Sequence, residues 1–230
     1  MNTNETIVMS VGGSLIVPDQ IDTDFLKGLK IFINEEISAG RRFIIIAGGG
    51  KTARRYQDAA SEVTDLENED LDWIGLHATR LNGHLLRTIF RDVAHPGIIK
   101  NPDDILDVPK EAKVVIAAGY RPGASTDLRA VQIANLVKAS KVINLSNIDY
   151  VYTDDPRTNP EAKMLEDVSW SEFRALIPKD WDPGMSAPFD PIAAKEADEK
   201  GIEVAVINGN KTDALTNYLN GLKFIGTKIS

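Results

Sequence analysis

The sequence predicts an α/β fold, a three-layer α/β/α sandwich around a mostly parallel sheet. Two features carry this expectation. Short runs rich in β-branched residues alternate with longer segments whose apolar residues recur at helical spacing. Four glycine-rich or polar turns each follow directly on one of the short runs. Strands separated by helices in this order need crossover connections, and crossovers cover both faces of a parallel sheet.

Taken in order, the first strand is read over 6–11. A helix follows Asp22, a candidate N-cap, with Phe25, Leu26, Leu29, Phe32, Ile33 and Ile37 at helical spacing, and Gly40 ends it. A strand is expected over 43–47. A long helix is expected over about 70–93, with Leu71, Ile74, Leu81, Leu85, Leu86 and Ile89 on one side. Strands at 114–118 and 141–145 flank a helix that starts after Ser125 and Thr126, and the last strand is read at 203–207. The stretch 153–184 is the richest in Pro, Asp and Trp, so it reads as an irregular connection with one short helix near 169–176.

At 230 residues, of which 43% are hydrophobic and 26% charged, the chain suits a single compact unit. A loose functional boundary is placed near residue 138, with an acceptor-side half over 1–138 and a nucleotide-side half over 139–230. The net charge of −8 argues against a general nucleic-acid partner, because a sequence-independent grip on a phosphate backbone needs a broad basic surface. The chain contains no cysteine, which excludes disulfides, thiolate metal sites and thiol nucleophiles and suits a reducing cytoplasm. The polar start with Glu5 is unlike a signal peptide, and no apolar run approaches the ~20 residues needed to span a bilayer. No membrane partner is expected.

The chemistry is expected at the turns, since ligands in open α/β sheets bind at the carboxyl ends of strands. Gly12-Gly13-Ser14 lets the backbone approach an anion and offers amide donors. Gly48-Gly49-Gly50-Lys51-Thr52 opens a helix that carries Arg54 and Arg55, so amides, helix dipole and guanidinium converge on a phosphate. It is not a Walker A loop, which would need glycine where Ile45 stands. A dinucleotide fingerprint is rejected too, because Asp72, near the distance of the usual acidic ribose partner, falls in a predicted helix rather than at a strand end. The third turn runs from Gly119 to Asp127; its hydroxyls and carboxylate serve either helix capping or recognition of a phosphate ester, and the two uses are compatible. The fourth, from Ser146 to Pro156, mixes polar and aromatic groups that suit a purine and ribose, with a structural loop as the plain alternative. His77, His84 and His95 lack the companions of a metal site, and Trp73, Trp170 and Trp181 are read as packing or loop anchors.

Together the motifs VGGSL at 11–15, AGGGKTARRY at 47–56, LDWIGLHATRLNGHLL at 71–86, RPGASTD at 121–127, LSNIDYVYTDDP at 145–156 and DPIAAKEA at 190–197 resemble the amino acid kinase superfamily, most closely its UMP kinase branch of the archaeal type. The resemblance covers nearly the whole chain. It implies phosphoryl transfer from ATP to UMP, with Mg2+ held through the ATP phosphates and no protein metal site. It also implies a homo-oligomer, a hexamer built as a trimer of dimers, with the long helix as a candidate interface.

Residue by residue, the resemblance implies that Gly12, Gly13 and Ser14 cradle the transferring phosphates. Gly49 would contact UMP, and Gly50 and Arg54 would lie where the phosphates of the two nucleotides meet. Asp72 would accept from the acceptor ribose, and Tyr120, Arg121, Pro122, Gly123, Ala124, Ser125 and Thr126 would form the wall for UMP. Ser146, Asn147, Tyr152 and Asp155 would line the ATP base and ribose. Asp127 and Asp149 would orient glycine-loop amides or cationic side chains, and Lys195 would reach the nucleotide phosphates. The family lysine before the first glycine pair is missing, since Met9-Ser10-Val11 stands there, so Lys51, Arg54 or Lys195 is expected to supply the charge. Tyr120-Arg121 is also bulkier than the family turn. The competing readings are a kinase of this fold acting on an acetylated amino acid, carbamate or isopentenyl phosphate, and a non-catalytic nucleotide-binding or storage protein.

Overall fold

The computed structural model describes residues 5–179 and 187–230. The chain runs β1 (Thr6–Val11), α1 (Gly13–Ile16), α2 (Thr23–Ser38), β2 (Arg42–Ala47), α3 (Gly50–Ser61), α4 (Asn68–Ile89), β3 (Ala94–Ile99), a 3-10 turn (Pro102–Asp107), β4 (Val114–Ala117) and α5 (Thr126–Val137). It continues through β5 (Lys141–Ser146), β6 (Val151–Tyr152), β7 (Met164–Leu165), β8 (Asp167–Val168), α6 (Trp170–Leu176), α7 (Pro191–Lys200), β9 (Glu203–Asn208), α8 (Thr212–Leu219) and β10 (Thr227–Ile229).

Eight strands form one sheet in the order β3-β4-β2-β1-β5-β9-β10-β8, parallel except where β10 runs against β9. β6 and β7 pair as a separate antiparallel ribbon. Period-two alternation divides the buried strands between two cores. In β2, Ile44 and Ile46 face α5, α7 and Phe173 of α6, while Phe43, Ile45 and Ala47 face α2, Leu86 of α4 and α8. Burial on both faces explains why these strands read as continuous apolar runs.

Helix ends follow their local chemistry. Asp22 caps α2 by accepting from the amides of Asp24 and Phe25. Ser169 and Glu172 form a capping box on α6, and Glu67 and Asp70 form one on α4. Arg41, buried after α2, pairs with Glu36 and donates to the carbonyl of Leu219, which ties α2 to α8.

The long helix departs from expectation in extent and at one position of its face. It ends at Ile89, and its inner face is made of Leu76, Thr79, Asn82, Gly83 and Leu86, whereas Leu81 is 61% exposed. Of the apolar residues expected on its inner side, Leu86 is core, Leu85 and Ile89 pack against it, and Leu71 and Ile74 are half-buried, so Leu81 alone points outward; small and polar residues share that inner side because the helix packs closely on the glycine turns. Trp170 is core, edge-on to Phe173 and donating to the carbonyl of Ile202. Trp73 is exposed on α4, donating to Glu69 and lying beside the ring of His77, both on its own helix, so among the described residues it is no core anchor. Trp181 lies outside the described residues.

Candidate active site

The strand order reverses direction at β1, which has β2 on one side and β5 on the other. The crevice outside such a switch point is where open α/β sheets hold ligands. Here it is a cleft of about 330 Å³ at the carboxyl ends of β1, β2, β4 and β5. Gly12 and Gly13, Gly48 to Gly50, Arg54, Asp72, the segment 121–127 apart from Gly123, and Ser146 all reach its wall. Three of the four turns and the first residue of the fourth therefore meet in one place.

The first two turns interlock. The amide of Gly12 donates to the carbonyl of Leu145, and that of Gly48 to the carbonyl of Val11. A methyl on Gly13 would overlap the Gly50 backbone, and Gly50 adopts φ +62°, a conformation glycine takes without strain. No side chain caps α3; the Lys51 amide in its first turn is taken by the carbonyl of Val17, and the Gly50 amide lies at the cleft. Buried Asn82 of α4 donates to the carbonyls of Gly48 and Gly49 at 2.7 and 3.1 Å, pinning the second turn from behind. Its signal in sequence is a polar residue at helical spacing within an apolar helix. Ser14 lies in α1 and off the cleft wall.

The third turn is clamped to α4 at three points. Asp72 accepts from the amide of Gly123 at 2.7 Å, Arg80 donates to the carbonyls of Gly119 and Tyr120 at 3.1 Å each, and Thr79 accepts from the amide of Gly119 at 2.9 Å. Ser125 is the N-cap of α5, accepting from Leu128. Arg121, Pro122, Ala124, Ser125 and Thr126 face the cleft, while Tyr120 stands off the wall within 5.7 Å of both the Arg121 and Arg129 guanidiniums.

Two carboxylates meet on the floor. Asp127 accepts from the Ser10 hydroxyl at 2.9 Å and from the Asp190 amide at 3.4 Å. Enclosure away from bulk water pushes its carboxyl up to about 6, with the charge of Asp190 adding to the effect. Asp190 caps α7 through one oxygen, accepting from Ala193 at 2.7 Å, while its Oδ2 is buried without a partner among the described residues. Burial raises the pKa of this carboxyl as well. Asp190 was legible as an N-cap before Pro191 but not as a cleft residue, because its meeting with Asp127 spans 63 residues.

The remaining expected residues lie elsewhere. Asp149 accepts from Asn208 at 2.8 Å and from Lys211 at 2.7 Å, and these bonds hold its carboxyl below the usual range. It orients a cation, but that cation is Lys211, which sequence reasoning did not single out. Asn147 is exposed beyond β5, and Tyr152 sits in the β6-β7 ribbon. Asp155 is engaged by Arg157, which lowers its carboxyl to about 2. Lys195 is 62% exposed and 3.9 Å from Glu199, away from the cleft. The cause is helical phase: α7 turns Ala193, Ala194 and Ala197 inward, which puts position 195 on the outer face. Lys51 is likewise drawn outward, 3.5 Å from Asp19.

An α/β sheet with glycine turns, the start of a helix and arginines gathered at its switch point defines a phosphate-binding protein of the nucleotide-handling kind. The chain belongs to the amino acid kinase family, whose model matches residues 5–208. It is 34% identical to the uridylate kinase of Pyrococcus abyssi over 91% of this chain and 92% of that protein. It is 32% identical to the uridylate kinase of Methanospirillum hungatei over 98% and 94%. Its backbone superposes on the crystal structure of uridylate kinase from Archaeoglobus fulgidus with a TM-score of 0.82 at 26% identity, covering 98% and 100% of the two chains.

Proposed function

We propose that the chain is an ATP-dependent UMP kinase, forming UDP and ADP. The observation that carries the reading is the single cleft in which the two interlocked glycine turns face the Asp72-clamped turn, so that a donor and an acceptor phosphate meet over Gly13 and Gly50. An oxygen of the UMP phosphate attacks the γ-phosphorus, and the bond from that phosphorus to the β,γ-bridging oxygen breaks as ADP leaves. Such a transfer asks for alignment and charge neutralisation rather than a general base.

In this reading the amides of Gly13 and Gly50 hold the transferring phosphate, Gly12 and Ser14 shape the turn that presents them, and Arg54 compensates its charge. Gly49, Asp72, Thr126 and the segment 120–125 receive UMP. Ser146, Asn147, Tyr152 and Asp155 border the ATP base and ribose, with Asp149 holding Lys211 beside them. The halves 1–138 and 139–230 then serve acceptor and donor. Lys195 supplies none of the charge. Among the described residues no three acidic or histidine side chains could cage a metal, whereas Asp127 and the unpartnered oxygen of Asp190 suit a cation already carried by phosphates. Mg2+ arriving with ATP would neutralise phosphate charge there.

The same reading makes the protein a homo-oligomer of the cytoplasm, where both nucleotides are held. Among the described residues no helix is long and apolar enough to cross a membrane. Trp73, His77, Leu81, His84 and Thr88 form an exposed uncharged stripe along α4, which supports self-association.

The test is ADP release by the purified protein with Mg-ATP and, separately, UMP, CMP, AMP, dTMP, acetylglutamate, carbamate and isopentenyl phosphate. Turnover confined to UMP upholds the assignment. Silence with UMP and turnover on another acceptor discards the substrate and keeps the fold.

A further inference from the structure

We propose that Arg121 is a phosphate-binding residue of this site, holding the acceptor's phosphate and supplying, with Arg54, the positive charge that the lysine-free first turn does not. This rests on the UMP kinase reading of the cleft.

Most cations near the cleft are engaged by other groups. Lys51 is drawn to Asp19, Lys195 lies beside Glu199, and Lys211 is bonded to Asp149. Arg80 is engaged by two carbonyls of the third turn. Arg129 is 6% exposed and donates to Gln132. Among the described residues, Arg54 and Arg121 remain as the cations on the cleft wall, and neither forms an ion pair. Facing them are three carboxylates, Asp72, Asp127 and Asp190. One arginine against these and two sets of phosphates would leave the cleft repelling its own ligands.

Position then separates the two roles. Arg54 is on α3, one turn beyond the glycine loop where the donor and acceptor phosphates meet. Arg121 is on the third turn, ahead of the Ser125-capped start of α5, and lines the cleft together with Asp72 and Thr126, the acceptor end. The turn that carries it is fixed at Gly119, Tyr120 and Gly123 by α4, so the guanidinium is presented from a rigid base. A guanidinium held this way offers a phosphate monoester two parallel donors.

A second cation shares the aromatic ring on which Arg121 rests, a contact that itself steadies each guanidinium. The guanidiniums of Arg121 and Arg129 both lie 5.7 Å from the ring of Tyr120. Arg129 is buried with its Nε unpartnered among the described residues, and after burial the charge of Arg121 is the next cause lowering its pKa. A dianion bound at Arg121 relieves this repulsion. The ligand class is thus a phosphate monoester, and the residue discriminates a nucleoside monophosphate from a nucleoside.

The test compares wild type, R121Q and R121K in steady-state kinetics and in calorimetric binding of UMP and of uridine, with thermal unfolding as the control for folding. R121Q is expected to raise KM and Kd for UMP at least tenfold, to leave KM for ATP within twofold, and to bind UMP no better than uridine, with partial recovery in R121K. A KM and Kd for UMP within twofold of wild type, or a loss that falls on ATP instead, overturns the inference. A wild type silent on UMP would sink the kinase reading, and the calorimetric comparison would still decide whether Arg121 holds the monoester.

Discussion

The carboxylate of Asp72, in the second turn of α4, accepts a hydrogen bond from the backbone amide of Gly123 at 2.7 Å, across 51 residues of chain. Gly123 adopts φ +80°, so the turn bends sharply at the point where it is held. One Asp72 oxygen thus shapes the acceptor wall while the other remains for a ligand hydroxyl. Losing a charged hydrogen-bond partner costs about 1–3 kcal/mol, or roughly 5- to 150-fold in affinity. Asp72→Ala is therefore expected to raise KM for UMP by about that factor with KM for ATP little changed, and Asp72→Asn, which keeps an acceptor oxygen, to do less. Initial-rate kinetics with each nucleotide varied in turn decide it; a loss shared equally between them would contradict this role.

Asp127 links site and stability through pH. Its carboxyl sits at about 6 in the fold, against 3.8 for an ordinary aspartate. The folded protein binds this proton more tightly than the unfolded chain, so the group's contribution is intact below about pH 4 and is lost as pH rises through about 6. Asp127→Asn removes the titration and keeps an acceptor for Ser10. The variant's stability relative to wild type is expected to improve by about 1–2 kcal/mol between about pH 4.5 and about pH 7.5, water in the cleft screening the remainder. Urea unfolding at the two values measures it, and a difference independent of pH would refute the shift. The same variant should turn over more slowly, since a site residue that strains the fold is retained for what it does.

The interlock of Gly13 with Gly50 makes a sharper prediction. A methyl at position 13 meets backbone, which cannot swing aside as a side chain can. Gly13→Ala should part the two turns, destabilise by about 1–3 kcal/mol, and lower kcat/KM for both nucleotides by two orders of magnitude or more, roughly what misplacing reacting groups by an ångström costs. Gly28→Ala is the control. Gly28 lies inside α2 with nothing within 4 Å of the added carbon, so it should gain about 0.5–1 kcal/mol and keep full activity. Thermal melts and kinetics of the two variants side by side separate these outcomes.

What could be read from sequence follows the physics of each element. β1 is legible to the residue and β2, β4, β5 and β9 to within one, because strands buried on both faces announce themselves as apolar runs. β3 was missed because an edge strand tolerates Pro96 and Gly97, and three-residue β10 because it borrows its register from β9. The glycine turns were legible as anion sites since their function is carried by backbone. The contributions of Asn82, Asp190 and Lys211 were not, because each depends on a partner that only the tertiary fold brings near. Lys195 shows the converse: its motif was recognisable, but the phase of α7 sends it outward.

Helical phase also decides what the outer face of α4 presents. Trp73 is 41% and Leu81 61% exposed, and with His77, His84 and Thr88 they leave an uncharged strip along a helix that is acidic at its start, with Glu69 and Asp70, and basic at its end, with Arg87. Leu81 lies near the middle of the strip. Two copies laid antiparallel about Leu81 would bury the strip against itself and set each acidic end beside the other copy's arginine, the self-complementarity a two-fold interface requires. A glutamate at the centre places two like charges face to face in that contact. Leu81→Glu is expected to shift the protein to a smaller species by light scattering after size exclusion, with Trp73 emission moving to the red as the ring returns to water. The variant should keep the wild-type helical circular dichroism, since position 81 touches no core. A wild type that runs as a monomer, or an L81E protein of unchanged mass, would show that α4 faces water for some other reason.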